Sequence, residues 1–95
     1  MTSDHDVARA IAFFEVCDDR DLLQEVLRGI RPRAAAEVRR LTSRGQEPPP
    51  PREIAAAPEA LTQQQALQTV KDATDFGQLQ ALARAIGRRV EGLAG

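Results

Sequence analysis

A chain of 95 residues, 42% of them apolar, has material for one modest core, so a single domain over residues 1–95 is the expectation. Its 13 basic and 14 acidic side chains leave a net charge of −1, which gives the whole molecule no long-range attraction to nucleic acid or anionic lipid. One cysteine, Cys17, excludes a disulfide within the chain and a cysteine zinc site, and no window approaches the ~18 apolar residues of a membrane span.

The apolar content is mostly Ala and Leu, with three Phe and no Trp or Tyr, and β-branched residues never alternate over a strand length. This composition predicts an all-α protein, a small helical bundle of four to six helices. The opening Met-Thr-Ser-Asp-His-Asp lacks the basic flank and apolar run of a secretion signal, and with the lone thiol this predicts a soluble, cytoplasmic protein.

Ser3 with Asp6 three residues on is a helix start signal, and Val7, Ile11, Phe14 and Cys17 follow on one stripe with Ala10 beside them. Asp18-Asp19 breaks that pattern and supplies a new N-cap. Leu22, Leu23, Val26, Leu27 and Ile30 then form the strongest amphipathic stripe, which Gly29-Ile30-Arg31-Pro32 should end near Arg31. Pro32 suits the first turn of a third helix carrying Ala35, Val38 and Leu41 up to Thr42-Ser43-Arg44-Gly45, with one kinked helix as the alternative.

These elements make a first hairpin with a third helix over 4–44. Residues 45–61 read as a proline-rich linker, because the four prolines after Glu47 fix φ and donate no backbone hydrogen bonds. A second hairpin is expected over 62–94. Thr62 to Gln65 is a capping-box pattern ahead of Ala66, Leu67, Val70 and Ala73, and Asp75 with Gln78 offers a cap ahead of Phe76, Leu79, Leu82, Ala83, Ile86, Val90 and Leu93.

Laid over one another at an offset of 56 residues, the two halves match without a gap, with seven identities in the 24 pairs from Ala10 to Arg33. Ala10, Asp19, Leu23, Gln24, Arg28, Ile30 and Arg33 fall on Ala66, Asp75, Leu79, Gln80, Arg84, Ile86 and Arg89. The expectation is two similar helical hairpins, joined by the proline-rich linker and packed on each other across a pseudo-symmetric core.

Charge is segregated along the chain. Residues 1–27 carry seven acids against Arg9 and Arg20, whereas 28–44 carry six arginines against Glu37. The candidate partner-binding residues are therefore Arg28, Arg31, Arg33, Arg39 and Arg40 on the basic side and Asp18, Asp19 and Asp21 on the acidic side. The three aspartates lack the glycine turn and distal glutamate of a calcium loop.

His5 is the only histidine, the glycines are isolated, and no nucleophile–base pair is in evidence, so no enzyme, no cofactor and no metal are expected. The combination resembles, in general terms, the small helical-bundle adaptor modules, including death-like domains and bacterial effector-associated modules. It carries no motif diagnostic of any one family. The expected function is a non-enzymatic protein–protein interaction or adaptor module whose protein partner is itself, in a homotypic oligomer, or a heterologous chain. A small DNA-binding regulator using the Arg-rich 28–44 segment, or an accessory subunit of a larger enzyme, is the alternative. Nucleic acid is the weaker partner, since aromatic interleaving is missing and Lys71 is the only lysine.

Overall fold

Four N-capping signals in the sequence become four helix starts. The computed structural model describes residues 2–47 and 53–94, and among these it is all-α: α1 (Asp4–Glu15), α2 (Arg20–Ser43), α3 (Gln63–Asp72) and α4 (Phe76–Ala94). The Ser3 hydroxyl accepts the Asp6 N–H, an Asp19 carboxylate oxygen accepts from Leu22, and one from Asp75 accepts from Gln78. Thr62 and Gln65 form the reciprocal capping box. Each cap satisfies an amide that helix geometry leaves without an internal acceptor.

The third helix expected after Pro32 does not exist as a separate element, because α2 runs unbroken through Pro32 to Ser43. The proline ring lies on the exposed side of the helix. Arg28, whose carbonyl loses its usual N–H partner, is exposed too, and an orphaned carbonyl on an exposed side of a helix costs less than a buried one. The helix ends where the sequence places its end. Gly45 adopts φ 73° and the amides of Gly45 and Gln46 bond back to the carbonyls of Thr42 and Leu41, an αL cap that glycine adopts without steric cost.

The core is built from the expected stripes. Val7, Ala10, Ile11 and Phe14 from α1, Leu23, Leu27 and Ile30 from α2, Ala66 and Val70 from α3, and Leu79, Leu82, Ala85 and Ile86 from α4 are buried together. Cys17 and Ala73, in the two interhelical turns, are buried with them, and Leu61 seals the approach to α3. Phe13 meets Phe14 edge to face at a centroid distance of 5.2 Å.

Pairing of the helices differs from closed hairpins. The principal contacts are α2 on α4, α1 on α3 and α1 on α4, so each helix packs on the opposite half of the chain rather than on its neighbour in sequence. The segment before α3 follows the same rule, with the amides of Ala57 and Leu61 bonding to the carbonyls of Ala8 and Arg9 on α1. The proline run expected to form a stiff linker, 48–51, lies outside the described residues. No helix among the described residues is long and apolar enough to cross a membrane.

Candidate functional site

α2 is the longest element, and its two ends have different surroundings. α2 packs on α4, and its first half contributes Leu23, Leu27 and Ile30 to the core. Beyond Arg33, which stands level with the end of α3, none of its residues is buried. Val38 and Leu41 extend the core stripe at helical spacing, yet they lie outside the buried cluster and the apolar fringe packed on it.

The candidate residues of the sequence separate into two groups on this helix. Asp21, Arg28, Arg31 and Arg39 are exposed, and among the described residues they make no ion pair or hydrogen bond through their side chains. Glu25, one turn beyond Asp21, shares that condition. Arg28 and Arg31 border a shallow depression of about 240 Å³ with Leu27 and Val90. Arg40 is held by Glu37 one turn back, with Nε 3.1 Å from Oε1 and Nη2 on the same oxygen. That hydrogen bond, reinforced by the charges of Arg40 and Arg44, holds the Glu37 carboxyl below the usual range, and in return Glu37 raises Arg40.

The second group works within the fold. Asp19 is the N-cap of α2. Arg33 donates from Nη1 to the Val70 carbonyl at 2.7 Å and from Nη2 to the carbonyls of Lys71, at 3.2 Å, and Ala73. It therefore closes the C-terminal end of α3, where carbonyls lack intrahelical donors and the dipole is negative. Asp18 accepts from Arg89 Nη2 at 2.6 Å while Arg89 Nε donates to the Cys17 carbonyl at 2.9 Å. The Asp18 side chain remains 87% exposed, so that pair rests in high dielectric.

Two residues whose long-range contacts the sequence did not foretell, Arg89 and Gln78, tie distant parts together. Gln78 is buried, and its amide donates to the Thr2 carbonyl at 2.8 Å and to Asp4 Oδ1 at 3.0 Å, fastening the start of α1 to the start of α4. The signal for Arg89 was present, since it is the match of Arg33 at the 56-residue offset.

A concavity of about 830 Å³ opens between α4 and the extended segment before α3, lined by Glu15, Ile54, Ala81, Arg84 and Arg88 among others. Its mixed charge and small apolar floor present no nucleophile with a base beside it. Among the described residues no group of three His, Cys, Asp or Glu side chains is placed to hold a metal ion.

The class these features define is a small four-helix bundle with a projecting, arginine-bearing helix. Comparison with protein-family models, with curated proteins and with solved structures finds no match for the chain.

Proposed function

We propose that this chain is a non-enzymatic protein-interaction module that works through the solvent face of α2. The observation that carries the reading is the unused charge on that face. Asp21 and Glu25 in the first turns and Arg28, Arg31 and Arg39 further along are exposed and unpaired among the described residues, while the charges the fold needs, Asp19, Arg33 and Arg89, are all engaged. Charges arranged in blocks on an exposed face guide association and select partners more than they stabilise a monomer. Toward the end of α2, the half-buried Val38 and Leu41 add a partly accessible apolar edge beside them.

The finer architecture belongs to the same reading. The chain is two like halves, each a helix, an Asp-capped turn and a second helix. Supporting this are the matched caps of Asp19 and Asp75, the matched buried pairs Leu23 with Leu79 and Ile30 with Ile86, and the matched arginines Arg33 and Arg89. A reducing, cytoplasmic setting suits a module whose one thiol, Cys17, is free and buried.

The test places a photoreactive amino acid at Ala36, which is exposed on α2, in the intact chain inside its native cell. Protein adducts that disappear when Arg39→Glu and Arg40→Glu are added support the module. Adducts to nucleic acid alone would replace it with the DNA-binding alternative, and no adducts of any kind would end it.

A further inference from the structure

Two residues in the middle of α2 weaken the helix without serving the monomer. Gly29 is exposed, and a methyl group added there would meet nothing within 4 Å, so no neighbour requires its smallness. Glycine in a helix interior is nonetheless destabilising relative to alanine. Pro32, also exposed, deprives the Arg28 carbonyl of its helical donor. Ala35 and Ala36 follow on the exposed side, so the centre of this face is low in relief for two turns.

The charges are arranged about that centre. Glu25, Pro32 and Arg39 recur at intervals of seven residues and so share one face, with the acid and the base each about 10 Å along the axis from Pro32. Asp21 lies one turn beyond Glu25, and Arg40 and Arg44 lie beside and beyond Arg39. Arg28, exposed on the same side of the helix, places one base among the acids, so what a half-turn about Pro32 brings into register on this face is the pair Glu25 with Arg39.

We propose that the partner of this face is a second copy of the chain. It docks with its α2 antiparallel to the first and the two-fold axis near Pro32, so that Glu25 of each copy meets Arg39 of the other. The shallow centre formed by Gly29, Pro32 and Ala36 lets the two helices approach closely. A parallel arrangement sets like charges against each other, and a stack of copies end to end leaves the centre unused. This inference rests on the module reading but is narrower, since a heterologous partner on the same face would satisfy that reading and not this one.

The experiment is light scattering and sedimentation of the full chain over a concentration series at low and high salt, with the helical content of each variant checked by circular dichroism. The wild type is expected to reach twice the monomer mass and stop there, with the dimer weakening as salt rises. Glu25→Arg alone and Arg39→Glu alone each set like charges together twice and should weaken the dimer by at least about tenfold. Glu25→Arg combined with Arg39→Glu restores opposite pairs and should restore the dimer, as should mixing the two single variants. A wild type monomeric at every concentration overturns the proposal. So does a mass that keeps growing past two, or single variants that dimerise as the wild type does. Adducts from Ala36 to a different protein, with a monomer in solution, would overturn the self-association and leave the module reading intact.

Discussion

Arg33 and Arg89 stand 56 residues apart, and each donates to a carbonyl at the end of a helix in the opposite half: Arg33 to Ala73 and Arg89 to Cys17, themselves 56 apart. The two contacts correspond at the 56-residue offset that matches the halves in sequence. Each guanidinium replaces donors that the helix end lacks, in a partly buried setting. Arg33→Ala and Arg89→Ala should therefore each lower stability by about 1–3 kcal/mol in urea denaturation, the range for hydrogen bonds made by charged groups. Losses below about 0.5 kcal/mol at both positions would show water substituting freely for the arginines.

Leu23 and Leu79 are fully or almost fully buried central residues of α2 and α4. Leu23→Ala and Leu79→Ala should each cost about 2–4 kcal/mol, the transfer of the lost methyls plus the cavity left behind. Equal and small costs in the same denaturation series would mean the core collapses around the gap, contrary to a packed α2–α4 seam.

At Pro32 the expected sign is opposite. Pro32→Ala returns an N–H to the Arg28 carbonyl on an exposed side of a continuous helix and should stabilise the monomer by about 1–3 kcal/mol. Gly29→Ala should add up to about 1 kcal/mol, because its Cβ enters open space. Thermal unfolding at concentrations low enough to keep the chain monomeric reads both.

Asp19→Ala and Asp75→Ala each remove a side-chain acceptor from a helix start and should cost about 1 kcal/mol apiece. Amide exchange should then accelerate first at Leu22 in one variant and at Gln78 in the other, which localises the loss to the cap concerned.

The Glu37 carboxyl, held low by its hydrogen bond to Arg40, should titrate by NMR below an ordinary glutamate. Since the folded value lies below the unfolded one, its contribution to stability is present above the ordinary glutamate range and fades as pH falls through the lowered value. Arg40→Gln should move the titration back toward the ordinary range.

Local signals made much of this fold legible. Ser3, Asp19, Thr62 with Gln65, and Asp75 are caps because a short polar side chain before an apolar stripe has one favourable use, and Gly45 ends α2 because few other residues tolerate its φ. What the pattern left open was the route through Pro32, since the cost of an internal proline depends on whether the orphaned carbonyl reaches water, which is a tertiary fact. It missed which helices pair. Periodicity states that α1 has an apolar face and not that α3 and α4 cover it. Of the candidate binding residues, Arg28, Arg31, Arg39 and Asp21 remained on the surface, whereas Arg33 and Asp19 were taken up by the fold. Charge type alone does not distinguish an arginine seeking a partner protein from one closing a helix.

The crossed pairing of helices has a consequence for how the chain is made. When α1 and α2 leave the ribosome, the surfaces that bury Phe14, Leu23 and Ile30 have not yet been synthesised, because they belong to α3 and α4. The contacts that matter most join residues separated by half the chain, and the entropy of closing so long a loop must be met before they form. Folding therefore waits for α4, and until then the nascent first half displays an apolar stripe of the kind that chaperones hold and proteases cut. A stop codon placed before Phe76 should yield not half a module but a short-lived, unstructured fragment.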